Sequence, residues 1–441
     1  MFFLVSLRSN HYNNMKKYLF LALALIVSLS ITAQQARQEI SSNVQLSGSN
    51  YLAYPGPQKA LTKAPKGEKP FYISHYGRHG SRFLIGKDDY ERPLKIFREA
   101  HKAGKLTEEG KDVYKRLKLI AADASNRYGE LTPLGALQHR QIAKRMFERF
   151  PEVFNGETNV EARSTIVIRC ILSMENEMQQ LMALNPKLHI FHDASEHDMY
   201  YMNFGDKELS EKKMMGDERI SYREFYQRHI HPDRLMKALF NDNDYVNHTF
   251  DKYEMMTKLF ELACNMQSTE LRDKVTLYNI FTTDEIYDNW QLENAWWYLN
   301  YGPSPISGGM QPFSQRNLLT NILNTADSCI ALAHPGATMR FGHETMVMPL
   351  TCLLELNNSN TKVSDLEKLA DSGWINYKIF PMGCNIQFIF YRKDVNDKNI
   401  LVKVLLNEDE AHLPVSTDTW PYYKWSDVEN FYRTKLASYK Q

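Results

Sequence analysis

Lys69-Pro70-Phe71-Tyr72-Ile73-Ser74-His75 opens an apolar-alternating run that leads into Arg78-His79-Gly80-Ser81-Arg82. A period-two pattern marks a strand, so the charged pentapeptide sits at a strand exit. A histidine set between two arginines there has the parts for phosphoryl transfer through a histidine nucleophile. The guanidiniums neutralise a phosphate carrying about −1.5 to −2 charge, and their planar forks fix its oxygens. The imidazole is then placed to attack phosphorus in line. Gly80 lets the backbone turn sharply and come close to the phosphate.

Working outward, Leu131-Thr132-Pro133-Leu134-Gly135 opens a helix, with Thr132 as N-cap and Pro133 at the first helical position. Asn159 to Ala162 reads as a second strand, with Arg163-Ser164-Thr165 at its exit. A helix follows, striped by Ile171, Met174, Met178 and Leu181. Ala337 to Phe341 is a further strand, ending in Gly342-His343-Glu344-Thr345 before another helix. Alternation in Ile386, Phe388, Phe390 and in Val402, Val404, Leu406 marks two more strands. Strands separated by helices predict an α/β fold, a mixed, mostly parallel sheet flanked by helices, with its ligand site at the carboxyl ends of strands. All three charged clusters fall at those ends.

Between residues 186 and 305 the composition turns to Tyr, Met, His and Trp, with helical runs such as Met256, Leu259, Phe260, Ala263. This predicts an α-helical insert (cap) domain covering the site, with Trp290, Trp296, Trp297 and Tyr298 in its core. The α/β core then spans 70–185 and 306–441. Residues 34–69, with Pro55, Pro57 and Pro65, read as an extended N-terminal arm. Residues 1–33 form a leader: Met15-Lys16-Lys17, an apolar run from Tyr18 to Ile31, then Thr32-Ala33-Gln34-Gln35 as a cleavage site. With the start at Met15, the mature protein begins near Gln34. The apolar run is short for a membrane span, so the expectation is export to the periplasm, the medium or the cell surface, without stable membrane insertion after leader removal.

The 441 residues carry 53 basic and 52 acidic side chains. That balance argues against a nucleic-acid binder with a broad basic field. Five cysteines, odd in number and widely spaced, show no zinc spacing or redox pair and read as buried free thiols.

Taken together, these segments resemble the histidine acid phosphatases, the branch of the histidine phosphatase superfamily containing phytases and multiple inositol polyphosphate phosphatases. The resemblance runs from about residue 70 to the C-terminus. It rests on Arg78 to Arg82, Leu131 to Gly135, Arg163-Ser164-Thr165 with Arg169 beyond, and Phe341 to Thr345, in the family's order. It implies that His79 is the nucleophile that becomes a phosphohistidine. Arg78, Arg82 and Arg163 would bind the phosphate, with His343 as a further ligand. Glu344 would protonate the leaving alcohol and then activate water. No metal and no other cofactor is implied, because arginines neutralise the charge.

Two departures from the family stand out. Leu84 occupies a position that is usually proline, and His343-Glu344 are directly joined, between the His-Ala-Glu and His-Asp patterns of the two branches. Glu344 also starts a helix, whose dipole favours the carboxylate over the acid. A bound phosphate would push the other way, which predicts activity favouring mildly acidic pH.

Other groups read as structural. Arg169 is expected to pack under its helix, His75 to be a satisfied core histidine, and Lys87 and Arg92 to be surface charges. His192-Asp193 and His197-Asp198 are expected to cap a polar loop rather than bind metal. The expected activity is phosphomonoester hydrolysis of inositol polyphosphates such as phytate, a small phosphorylated partner. A broad acid phosphatase for sugar phosphates or bisphosphoglycerate is the alternative. A non-catalytic phosphate-binding relative would be expected to have lost one of His79, His343 or the carboxylate.

Overall fold

The computed structural model describes residues 35–439 except 212, 214 and 215, so the leader over 1–33 lies outside the described residues. Strand β1 (Lys69–Arg78) forms as the alternation predicts, yet every residue from Tyr72 to Arg78 is buried. Both faces of the sheet are covered, so the alternation sorts side chains between two cores. The other strands are β2 (Asn159–Ser164), β3 (His189–Asp193), β4 (Gly336–Gly342), β5 (Asn385–Arg392), β6 (Leu401–Leu406), β7 (Asp409–Glu410) and β8 (Tyr423–Lys424). They form one mixed sheet in the order β3-β2-β4-β1-β5-β6-β7, with β8 also on β6. The four strands β3, β2, β4 and β1 run parallel, and β5 to β8 extend the sheet with antiparallel pairs.

On one face, Ile142 and Met146 of the helix Pro133–Arg149 and Met174 and Leu181 of the helix Ile168–Leu184 pack on Ile73, Met339 and Phe341. Thr132 caps the first of these helices, its Oγ1 accepting from the Gly135 N–H at 3.2 Å, and Pro133 stands at its start. The opposite face joins Tyr72, Tyr76, Phe388 and Phe390 to a larger apolar cluster built from the helical half of the chain.

The domain boundaries differ from expectation in three places. The arm is helical over 35–42 and again over Val44–Tyr51, because Ala36 and Ile40 share one helical face and bury completely. β3 belongs to the sheet although it lies inside the 186–305 stretch, its register on β2 running from Asn159↔His189 to Arg163↔Asp193. The helices Lys87–Lys102 and Glu108–Ala124 pack with the insert; the Phe97 and Phe240 rings meet at 5.1 Å. The helical layer is therefore assembled from both segments.

All five cysteines are free, four of them buried. Among the described residues no helix is long and apolar enough to cross a membrane.

Candidate active site

Three parallel strands deliver the site. Arg78 ends β1 opposite Gly342 at the end of β4, so His79 and His343 leave neighbouring strands side by side. The His79 N–H donates to the Gly342 carbonyl at 3.0 Å, and the two rings lie 5.8 Å apart, edge to face. β2 ends at Ser164 opposite Phe341. From there Thr165 donates its N–H to the Phe341 carbonyl at 3.0 Å, and its Oγ1 lies 3.3 Å from His343 Nε2. Glu344 opens the helix Glu344–Leu353.

The loop after β1 rests on the helix Pro133–Arg149 and on the helix that begins at Ile168. Gly80 N–H donates to Ser173 Oγ at 3.2 Å and Ser81 N–H to Gln138 Oε1 at 2.8 Å. A β-carbon on Gly135 would stand 2.3 Å from the Ser81 carbonyl oxygen, and one on Gly80 would stand 2.5 Å from the Gly135 carbonyl oxygen. The glycine of the Leu-Thr-x-x-Gly segment therefore lets helix backbone meet loop backbone. Gly135→Ala should destabilise the fold by about 1–3 kcal/mol, the range for an overpacked site, and should also reduce turnover by shifting the loop. A melting temperature equal to wild type would show that the contact is not tight.

Burial of His79 is complete. Its Nδ1 lies 2.9 Å from the Gly80 carbonyl oxygen, which can only accept, so the proton sits on Nδ1. Nε2 is left with its lone pair and no hydrogen-bond partner. Burial, followed by the charges of Arg78, Arg169 and Arg82, holds the imidazole well below its ordinary pKa. The ring is thus held toward its neutral form, with Nε2 unprotonated.

The three arginines whose charges act on His79 also keep donors with nothing to donate to. Arg78 Nη2, Arg82 Nε and Arg169 Nε are all buried without a hydrogen-bond partner. Two of the three are anchored through their other atoms: Arg78 Nη1 donates to the Asn50 carbonyl at 2.6 Å and the Phe380 carbonyl at 3.1 Å. Arg82 Nη1 donates to the Phe83 carbonyl at 2.9 Å, and its guanidinium lies 5.4 Å from the Tyr51 ring. Buried donors left unpaired cost about 1–3 kcal/mol each, so the fold maintains a cradle shaped for an anion.

Glu344 occupies part of that cradle. Its Oε2 forms an ion pair with Arg78 Nε at 2.9 Å and lies 3.7 Å from His79 Nε2. Burial alone would raise its pKa, but Arg78, Arg82 and His343 outweigh burial and bring it to about 2. His343 falls to about 4, chiefly through burial and the nearby Arg169 and Arg78, with Glu344 opposing. His79, His343 and Glu344 are close enough to share a cation, but three guanidiniums make the pocket one for a negative charge instead.

Five of the six residues expected at the site are brought together: Arg78, His79, Arg82, His343 and Glu344. Arg163 is not. Its Nε pairs with Asp198 at 3.4 Å, and its charge is not among the leading ones acting on His79, His343 or Glu344. Arg169, expected to pack under its helix, takes the place instead. It lies at the start of the helix Ile168–Leu184, and Arg82 and Arg78 lower its pKa further after burial. The signal available in the sequence was its position one helical turn after the strand exit, beside a strand whose histidine neighbour is His343.

Several minor expectations change as well. His75 is buried but unsatisfied, with neither ring nitrogen bonded; burial, His139 and Arg340 lower it to about 3. His192 pairs with Glu175 at 2.6 Å from the end of β3 rather than in a loop. Leu84 donates its N–H to Tyr90 Oη at 2.7 Å, a bond that proline at this position would forfeit. Lys87 and Arg92, by contrast, are surface charges as expected, paired with Glu91 and Glu254.

No curated protein matches the sequence. Among solved structures, the chain is similar to the Bifidobacterium longum multiple inositol polyphosphate phosphatase in complex with inositol hexasulfate, with a TM-score of 0.73 at 18% identity, covering 87% of this chain and 97% of that one. It is also similar to the phytase from D. castellii, with a TM-score of 0.69 at 13% identity and coverage of 90% and 86%. The phytase from Hafnia alvei, in complex with tartrate, matches with a TM-score of 0.52 at 14% identity and coverage of 86% and 98%. At these identities the likeness establishes the fold. The family model of the histidine phosphatase superfamily, branch 2, matches residues 77–407, more than half of the chain, and includes every residue of the cradle; the protein belongs to that family.

Proposed function

We propose that this protein is an exported phosphomonoesterase that hydrolyses inositol polyphosphates of the phytate type through a phosphohistidine on His79. The observation that carries this reading is the unpaired Nε2 of His79 under the charges of Arg78, Arg82 and Arg169, each of which keeps a buried, unpaired N–H. An incoming phosphate satisfies all of these donors at once and displaces Glu344 from Arg78. Glu344, freed from Arg78 beside the bound phosphate, takes up a proton; Nε2 then forms the N–P bond as the ester P–O bond breaks, and Glu344 gives that proton to the departing alkoxide. Water, deprotonated by Glu344, then attacks phosphorus and the N–P bond breaks, returning His79 and inorganic phosphate.

The substrate class is supported by two neighbours, a multiple inositol polyphosphate phosphatase bound to inositol hexasulfate and a phytase. Export is supported by the leader composition over 1–33. Phosphate release from phytate and from p-nitrophenyl phosphate, followed side by side over roughly pH 3 to 8, tests the class. A higher kcat/KM on phytate, best on the acidic side, is the expected result. Preference for the nitrophenyl ester with phytate untouched would replace this reading with a general phosphatase.

The arginine assignment has its own test. Arg169→Ala should lower kcat/KM by roughly 10²–10³-fold, the cost of one donor to the developing charge. Arg163→Ala should cost less than about fivefold, as expected for a half-exposed ion pair. The reverse order would restore Arg163 to the phosphate site.

A further inference from the structure

A second cavity, of about 460 Å³, lies between the segment Val44–Tyr51 and the helices Lys252–Asn265 and Thr283–Tyr301. It takes no part in the chemistry above, although Asn50 and Tyr51 belong to both places. Its walls are aromatic: Tyr222, Tyr226, Phe260, Trp296 and Trp297. The two tryptophans meet edge to face at 5.2 Å. Into this lining come two carboxylates, Glu261 and Glu293, and no Lys, Arg or His lines the cavity.

The two acids are unequally satisfied. Glu261 accepts from Tyr51 Oη at 2.8 Å and lies 3.5 Å from Lys258, which is itself engaged by Asp89. Glu293 makes no ion pair among the described residues. The charge that acts on it is the like charge of Glu261, and burial together with that repulsion pushes its pKa up to about 7. Trp297 Nε1 faces Glu293 and partly offsets that rise, although its geometry falls short of a full hydrogen bond. A phosphorylated inositol would be repelled here, and a neutral polyol would leave the acids uncompensated. A bare divalent ion prefers a shell of oxygens to aromatic faces. An organic cation fits both parts of the lining, since aromatic faces attract it and carboxylates neutralise it. The volume is that of a small-molecule pocket.

We propose that this cavity binds a small organic cation, an ammonium or alkylated ammonium compound, caged by the aromatic walls and neutralised by Glu293 with Glu261. Choline and its uncharged carbon isostere, neohexanol, are the probes, titrated into the intact protein while tryptophan fluorescence and heat are followed. Choline should bind saturably and about tenfold or more tighter than neohexanol. Glu293→Gln, which keeps the side-chain shape, should weaken choline by a similar factor and leave neohexanol nearly unchanged. Equal binding of the two probes, or no saturable choline binding to wild type, would overturn the proposal. A Glu293→Gln protein that turns over p-nitrophenyl phosphate normally yet binds choline like wild type would overturn it as well.

Discussion

His79→Ala turns over phosphomonoesters at least about 10⁴-fold more slowly than wild type, because it removes the atom that bonds phosphorus, a loss on the scale of nucleophile deletions in other covalent enzymes. The fold should not suffer. The imidazole is fully buried, its Nε2 has no partner, and three guanidiniums press on it. Removing it relieves a buried polar group as well as creating a small space, so the melting temperature should stay near wild type. Turnover and thermal unfolding measured on one preparation check this. A variant that loses activity only because it unfolds would show that His79 supports structure, contrary to the burden of unpaired contacts around it.

Glu344→Gln has the second largest effect, and it depends on the leaving group. In the free protein the carboxylate is paired with Arg78 and titrates near pH 2, so it is ionised wherever the enzyme is assayed and cannot donate a proton. Substrate changes this. The phosphate takes over the Arg78 and Arg82 donors and brings its own negative charge, which raises the Glu344 pKa toward the assay range. The acid-base limb in kcat, which reports the complex, should therefore lie at higher pH than the corresponding limb in kcat/KM, which reports the free enzyme. Glu344→Gln should slow an inositol phosphate, whose alkoxide needs a proton, by roughly 10²–10⁴-fold. Nitrophenolate leaves without much help, so p-nitrophenyl phosphate should lose far less. Equal losses on the two substrates would remove Glu344 from the role of proton donor.

The same depressed pKa bears on stability, with a definite sign. A carboxyl whose folded value lies below its unfolded value of about 4.3 contributes stability that is present above that value. It is lost as pH falls toward about 2. Glu344→Gln should therefore flatten part of the acid limb of unfolding.

Much of this was legible in the sequence because the site is built at strand exits. Apolar alternation located β1, Ala337 to Phe341 read as the strand that became β4, and parallel pairing at Arg78↔Gly342 then dictates that His79 and His343 emerge together. Thr132-Pro133 similarly announced a helix start that the fold uses. Side-chain direction is not carried by the pattern. Arg163 and Arg169 are six residues apart across a strand exit and a helix start, and periodicity cannot say which guanidinium turns inward. A neighbouring acid decided it: Asp198 holds Arg163 away. Likewise Pro55, Pro57 and Pro65 suggested an extended arm, while Ala36 and Ile40 had enough apolar surface to fold its start onto the helical half. β3 escaped detection because its residues are half or fully exposed at a sheet edge, so it carries no apolar alternation.

The central claim, covalent transfer through His79, is tested most directly by trapping the intermediate. Enzyme mixed rapidly with labelled substrate, quenched in alkali and mapped by peptide mass spectrometry, should carry phosphate on the His79 peptide at the His79 ring. Label on any other side chain, or none while product forms in a full first turnover, would contradict the account.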